Sequence, residues 1–241
     1  MGKSIKKINK EYYDEIWTTS SPMSHSKWPA WQKIKNYQGS KMLEIGPGIR
    51  PRIPVKGSYF IELSSTAKNH LNRNSGKAFG PDEGLLNKGN FFDTICAFEV
   101  LEHVKDDSRL LDEINHSLKK GGTLILSVPL FDKYWSEWDT IVGHFRRYSP
   151  KKLENVLTKA GFRITEYAED SFAKSYTGKI SQKIAKKVFN TFPKQSLILE
   201  SYLLRLMCWH ARKFKPLKWK KGSIRNIPDS WAGVYVVCKK V

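Results

Sequence analysis

The sequence predicts an α/β protein with a doubly wound, mainly parallel β-sheet. Short apolar segments recur along the chain, and amphipathic segments of helical length separate most of them. Glycine and proline residues mark several of the junctions between the two kinds of segment. Strands that alternate with helices indicate a parallel sheet that is covered by helices on both faces.

The first 38 residues are expected to form an N-terminal helical cap. They are rich in Trp and Tyr, and the run Ser20-Ser-Pro22 divides them. We predict two short helices here, over residues 9–17 and 28–36. The aromatic side chains either cover a ligand or simply pack onto the following domain, and the sequence leaves both open.

Six strands and three helices are predicted downstream. The strands fall at 41–45, 59–63, 93–98, 123–128, 162–168 and 231–239, and the helices at 64–75, 106–119 and 150–160. Ser149-Pro150 starts the third of these helices with a favoured N-cap residue and a proline in the first turn. Gly121-Gly122 and Gly161 mark helix ends.

The connection between the first two strands is too short for a regular helix. Only ten residues separate Gly48 from Tyr59, and they include Pro51 and Pro54. Proline breaks the interior of a helix, and ten residues give fewer than three turns. We therefore expect an irregular connection at this point.

A nucleoside-binding pattern spans these two strands. The first strand runs through Glu44 into Gly46 and Gly48, and the second carries Glu62. Glycine lets bare backbone approach a ligand, and a carboxylate on the next strand accepts hydrogen bonds from ribose hydroxyls. Pro51 stands where a dinucleotide fingerprint needs its third glycine. This favours an adenosyl ligand with a cationic amino-acid tail over one with a pyrophosphate.

Four segments resemble the class I S-adenosylmethionine-dependent methyltransferases, in particular the broad type-11 group. They are Leu43-Glu-Ile-Gly-Pro-Gly48, Ile61-Glu-Leu-Ser64, Phe92 to Val104 and Leu118 to Pro129. The resemblance covers most of residues 40–168 and resumes at 231–240. It implies a Rossmann-like fold, S-adenosyl-L-methionine as cofactor and methyltransferase activity.

The resemblance also assigns a cofactor site. It implies that Glu44, Gly46 and Gly48 line the methionine and ribose part, and that Glu62 binds the ribose hydroxyls. Asp82 lies near the position of an acidic residue that contacts adenine. Phe98 and His103 are expected to face the cofactor pocket. For Glu102, we expect instead a residue at the start of a helix whose carboxyl group makes its hydrogen bonds locally.

The segment from Trp138 to Tyr148 is the predicted acceptor side. His144 is the candidate base, because imidazole titrates near neutral pH, and Asp139 is a second candidate catalytic residue. Arg146, Arg147 and Tyr148 are candidate acceptor-binding residues, since guanidinium groups hold phosphate or carboxylate. The alternative is that the segment ties its loop to the sheet through salt bridges.

A basic insertion is predicted before the last strand. Residues 169–230 separate two strands that normally form an antiparallel pair, and residues 171–241 carry a net charge of +14 out of +19. The spacing of its apolar residues predicts a basic amphipathic helix that includes Ile184 and Val188. The insertion binds an anionic membrane surface, forms a structural cap or homodimer contact, or binds nucleic acid, in that order of preference.

The remaining domain, at 39–168 and 231–241, is expected to hold the cofactor. The three cysteines have no metal-ligand spacing, so we expect core residues and no metal site. We expect a cytoplasmic methyltransferase, peripheral on the inner membrane, that acts on a small-molecule or lipid- or glycan-linked acceptor. An RNA methyltransferase and a non-catalytic S-adenosylmethionine-binding adaptor are the alternatives.

Overall fold

A computed structural model of the 241-residue chain describes residues 2–37, 39, 41–136, 139–140, 142–170 and 216–241. In this part, eight strands form one sheet in the order β3-β2-β1-β4-β5-β8-β6-β7. The strands are β1 (Met42–Ile45), β2 (Tyr59–Ile61), β3 (Lys77–Phe79), β4 (Phe92–Phe98), β5 (Leu118–Pro129), β6 (Phe162–Glu169), β7 (Lys220–Lys221) and β8 (Gly233–Lys240). The helices are α1 (Gly2–Thr19), α2 (Trp31–Ile34), α3 (Ser65–Arg73), α4 (Asp107–Ser117) and α5 (Pro150–Lys159).

The predicted α/β class and mainly parallel sheet are confirmed. Strands β1 to β5 pair in parallel, whereas β8 is antiparallel to both β5 and β6. All six predicted strands are present. The sequence missed β3 and β7, because segments of three and two residues carry too little periodicity to recognise.

Alternate residues of the strands build two cores, one on each face of the sheet. In β1, Leu43 belongs to one core and Met42 to the other. Cys96 and Cys238 are buried, free thiols in opposite cores, as predicted for small core residues. Cys208 lies outside the described residues.

The N-terminal region differs from its prediction in helix length. Helix α1 covers 18 residues, more than the predicted 9–17, and α2 covers four residues between two 3₁₀ turns, fewer than the predicted 28–36. Side chains of α1 reach the domain, where Asp14 accepts hydrogen bonds from Ser64 Oγ (2.6 Å) and Thr66 N (3.0 Å). Asp14 thus fixes α1 to the start of α3.

The loops that follow β1, β2, β4 and β5 meet at the carboxyl edge of the parallel strands, where ligands bind in such sheets. The connection from Gly48 to Tyr59 contains no regular helix, as predicted. Both described flanks of the insertion start from the same edge, since Asp170 follows β6 and residues 216–219 precede β7, which runs antiparallel to β6. The predicted helical insertion itself lies mostly outside the described residues.

Among the residues that the structure describes, no helix has both the length and the apolar character needed to cross a membrane.

Candidate functional site

The glycine turn after β1 has the backbone conformation that the sequence predicted. Gly46 and Gly48 have φ angles of +66° and +58°, a region that glycine adopts without strain. A Cβ atom at Gly48 would lie 2.2 Å from Cζ2 of Trp17. Glycine is therefore required at this position both by its backbone angle and by the indole ring of α1 above it.

Glu62 follows β2 and is joined directly to the glycine turn. Its Oε2 accepts a hydrogen bond from Gly48 N and its Oε1 accepts one from Ser64 N, each at 2.8 Å. Burial raises the pKa of this carboxyl group, and the two backbone donors oppose the rise. The side chain is 5% exposed, so the carboxylate is fixed at the bottom of the cleft between β1 and β2.

Glu44 shapes the same cleft from β1. Its Oε2 accepts hydrogen bonds from the backbone of Arg52 (2.8 Å) and Ile53 (3.1 Å), so the carboxyl group holds the proline-rich connection against the strand. Burial raises the pKa of Glu44 to about 7, although the Arg52 guanidinium opposes the rise. The structure thus gives Glu44 an internal role, and its contact with a ligand stays a prediction.

The guanidinium of Arg52 lies between two aromatic rings at the cleft. It is 4.4 Å from the ring centre of Phe98 and 4.5 Å from that of Trp28. In the described part of the chain, Nη1 of Arg52 and Nε1 of Trp28 are buried donors without a hydrogen-bond partner. Two unpaired donors side by side fit an anionic group of a ligand.

The other predicted cofactor residues also lie at the carboxyl edge. Phe98 ends β4, and His103 closes the 3₁₀ turn Leu101–His103 that follows it. Asp82 is exposed in the turn after β3. The structure places Gly48, Glu62 and Phe98 at the carboxyl edge of neighbouring strands, and Asp82 lies exposed at the same edge after β3.

Asp139 is the centre of a hydrogen-bond network in the loop after β5. It is fully buried and accepts from Nδ1 of His144 (2.8 Å) and, in bidentate fashion, from Nε and Nη2 of Arg147 (2.8 and 3.0 Å). Ser136 adds its backbone N–H and its hydroxyl group. Burial alone would raise the pKa of Asp139, but the hydrogen bonds from His144 and Arg147 lower it, so the group is a carboxylate.

This network fixes the ring of His144. A carboxylate only accepts, so Nδ1 of His144 carries the shared proton, and Nε2 bears a lone pair whenever the ring is neutral. The structure thus pairs His144 with Asp139, a contact that the sequence did not predict.

Arg146, Arg147 and Tyr148 are all engaged inside the protein. Nη1 of Arg146 lies 2.8 Å from Oδ2 of Asp107, and the buried Tyr148 hydroxyl group donates to the same oxygen at 2.6 Å. Burial, followed by the hydrogen bond to Asp107, raises the pKa of Tyr148. These contacts are the salt bridges of the alternative interpretation, and acceptor binding by the three residues stays a prediction.

The expectation for Glu102 was wrong. This residue is fully buried, and in the described residues neither carboxyl oxygen has a hydrogen-bond partner. Its 3₁₀ turn points the side chain toward His144, whose Nε2 lies 3.9 Å from Oε1 of Glu102. Sequence reasoning missed this cluster because its two halves come from different loops. The adjacent pair Glu102-His103 was the available signal.

The comparisons with known proteins agree with this geometry. A family model described as a methyltransferase domain matches residues 31–167, which is more than half of the chain. No curated protein matches the sequence.

Several solved structures share the fold at low sequence identity. A SAM-dependent methyltransferase from Thermotoga maritima, described as a possible histamine N-methyltransferase, has a TM-score of 0.56 and 18% identity, covering 90% of this chain and 89% of that one. Phosphoethanolamine N-methyltransferase 2 from Haemonchus contortus has the same TM-score and identity, covering 88% and 52%. Geranyl diphosphate C-methyltransferase from Streptomyces coelicolor has a TM-score of 0.53 and 10% identity, covering 88% and 76%.

The glycine turn, the carboxylate that follows β2 and the parallel strands β1 to β5 all lie within the residues that the family model matches. The chain therefore belongs to the methyltransferase-domain family, as its resemblance to class I S-adenosylmethionine-dependent methyltransferases implied.

Proposed function

We propose that this protein transfers a methyl group from S-adenosyl-L-methionine to a small-molecule or lipid- or glycan-linked acceptor. The observation that carries the proposal is the hydrogen bond between Gly48 N and Glu62 Oε2, which sets the glycine turn and the carboxylate side by side. The His144–Asp139 pair lies at the same edge of the sheet. A cofactor cleft next to a polarised imidazole suits transfer of a methyl group.

The residues of the cleft fit the cofactor. Glu62 would accept hydrogen bonds from the ribose hydroxyls. The unpaired donors on Arg52 and Trp28 would hold the carboxylate of the amino-acid tail. When bound, S-adenosylmethionine supplies a methyl group, whose carbon–sulfur bond breaks as a lone pair of the acceptor attacks the carbon. The protein contributes chiefly position and exclusion of water.

His144 would manage the proton of a hydroxyl or amine acceptor. Its Nε2 is the ring nitrogen that Asp139 leaves unprotonated. Arg147 keeps Asp139 ionised through its paired hydrogen bonds. Asp139 and Arg147 therefore act as positioning residues, and they hold the imidazole in one tautomer.

Exposed aromatic side chains beside this pair favour an acceptor with an apolar part. Apart from Val241, the exposed large apolar side chains among the described residues are Tyr134, Trp135 and Phe145, all in the loop after β5. Trp135 lies 6.5 Å from the His144 ring. Tyr134, Trp135 and Phe145 also suit attachment to the inner membrane surface from the cytoplasm. The basic insertion would add electrostatic attraction to anionic lipids.

The solved structures that share the fold support a small acceptor without identifying it. One contains phosphomonomethylethanolamine, and another contains geranyl diphosphate. Both molecules are small and anionic, but the low identities restrict these likenesses to the fold.

Calorimetry with S-adenosylhomocysteine tests the cofactor, and NADH serves as the negative control. Transfer of labelled methyl groups to a lipid extract, compared with an RNA fraction, tests the acceptor class. We expect incorporation into the lipid extract. Incorporation into RNA alone would favour the RNA methyltransferase, and cofactor binding without any turnover would favour the adaptor.

A further inference from the structure

We propose that Glu102, His103 and His144 form a binding site for one divalent transition-metal ion. Each residue offers one ligand atom, and the three atoms lie within 4.8 Å of one another. Glu102 and His103 come from the 3₁₀ turn after β4, and His144 comes from the loop after β5. The site therefore joins two loops of the carboxyl edge, beside the cofactor cleft.

The carboxyl group of Glu102 is the strongest evidence. It is fully buried, and neither oxygen meets a donor in the described part of the chain. The Glu99 side chain lies close to it, but a second carboxylate repels the charge of Glu102 and cannot satisfy it. A buried carboxyl group without partners is rare in folded proteins. A cation would supply the missing interaction.

Both imidazole rings present a lone pair to the same space. Nδ1 of His144 donates to Asp139, which leaves Nε2 free to coordinate, and a carboxylate behind a histidine is the usual outer partner of a metal ligand. Nδ1 of His103 is buried and has no partner among the described residues.

The distances allow a shared ion. Two ligand atoms that each lie about 2.1 Å from one ion are at most about 4.2 Å apart. Nε2 of His144 and Oε1 of Glu102 are 3.9 Å apart, and the rings of His103 and His144 are 4.5 Å apart between centres. A small rotation of the side chains would bring all three ligand atoms within bonding distance of one ion.

The ligand types select the class of metal. Two imidazole nitrogens and one carboxylate suit Zn²⁺, Co²⁺, Fe²⁺ or Mn²⁺, whereas Mg²⁺ and Ca²⁺ prefer oxygen ligands. Three protein ligands leave positions for further ligands. The catalytic consequence rests on the proposed function and changes the role of His144. With the ion on Nε2 the ring holds the metal and is no longer the base, and an acceptor hydroxyl group that coordinates the ion would release its proton to solvent more readily.

The test uses the full chain after removal of metals with a chelator. Calorimetry with Zn²⁺ and the visible absorption of Co²⁺ measure binding directly, without any methyl transfer. We expect one ion per chain and an affinity that falls about 100-fold or more in Glu102→Gln and His103→Asn, which each lose a ligand. His116→Asn removes an exposed imidazole on α4 and should bind as the wild type does.

A thermal melt provides the second readout. A ligand at a hundredfold excess over its Kd should raise the Tm of the wild type by about 5–10 °C and leave that of Glu102→Gln unchanged. Glu102→Gln keeps the size of the side chain and removes a buried ionisable group, so this variant is expected to fold.

The inference is overturned if the folded wild type binds no ion, or if Glu102→Gln binds as tightly as the wild type. S-adenosylhomocysteine binding, measured on the same metal-free sample, separates the two proposals. Cofactor binding and turnover by a protein that binds no added ion would refute the metal site alone. Stoichiometric ion binding without cofactor binding would refute the methyltransferase proposal alone.

Discussion

Replacement of Glu44 by Gln tests how the cofactor cleft is held together. Glu44 is 2% exposed, and its Oε2 accepts two backbone hydrogen bonds, from Arg52 and Ile53. The carbonyl oxygen of Gln can accept both. The substitution therefore removes a buried charge while it keeps the shape of the side chain and its hydrogen bonds.

The size of the effect follows from the pKa. Burial raises the pKa of Glu44 from 4.5 to about 7, with Arg52 opposing. The folded protein then binds more protons than the unfolded chain between these values, so stability falls as the pH rises through this interval. A shift of this size corresponds to about 3 kcal/mol above pH 7, since one pKa unit is about 1.4 kcal/mol. We expect the free energy of unfolding of Glu44→Gln to exceed that of the wild type by up to about 3 kcal/mol at pH 8. Below pH 5 the two free energies should be nearly equal.

Urea unfolding followed by tryptophan fluorescence at pH 5 and pH 8 measures this difference. Glu15→Gln, which changes an exposed residue of α1, is the control and should show no pH-dependent difference. If the difference between Glu44→Gln and the wild type does not grow with pH, or if the variant is less stable at pH 8, the buried charge is not the cause. S-adenosylhomocysteine affinity of the same variant shows whether the charge serves ligand binding instead.

Three further predictions concern the cleft, the acceptor side and the insertion. Glu62→Ala should weaken the binding of S-adenosylhomocysteine by about 1–3 kcal/mol in calorimetry, because charge-assisted hydrogen bonds are lost. The control Glu113→Ala, at a half-exposed residue, should leave this binding unchanged. His144→Ala should lower turnover by about a hundredfold and leave cofactor affinity within about twofold; wild-type turnover would make the residue structural. Ile184→Asp with Val188→Asp should abolish co-sedimentation with phosphatidylglycerol vesicles, since docking needs an apolar face. Tight RNA binding that survives this change, with no vesicle binding at low salt, would favour nucleic acid.

The fold was predictable because its signals are local. Burial on both faces makes residues 95–98 of β4 and 124–128 of β5 mainly apolar runs. Ser149 caps α5 by accepting a hydrogen bond from Lys152 N, as its position before Pro150 indicated. Strand β3 gave no such signal, since its three residues are half-exposed and only its pairing with β2 defines it.

The sequence was enough to predict which residues form the candidate site, but not which of them contact one another. The strand order brings Glu62 and the glycine turn to one edge of the sheet. Prediction of the parallel strands from the sequence is enough to predict this. The bidentate contact of Arg147 with Asp139 depends on how the loop folds back over eight residues, which no periodicity encodes. The same loop conformation decides that His144 faces Glu102, across 42 positions of sequence.

The loop after β5 and the turn after β4 differ in whether their buried polar groups have partners. Arg147, Asp139 and Tyr148 have little contact with solvent and are paired with one another or with Asp107, so they hold the loop in place. Glu102 and His103 are equally enclosed but carry buried polar atoms that no described residue satisfies. Burial without partners is unfavourable and persists where a ligand completes the site, whereas burial with partners needs no ligand. This contrast, more than the motif, is the reason why we propose Nε2 of His144, where the two loops meet, as the position of the chemistry.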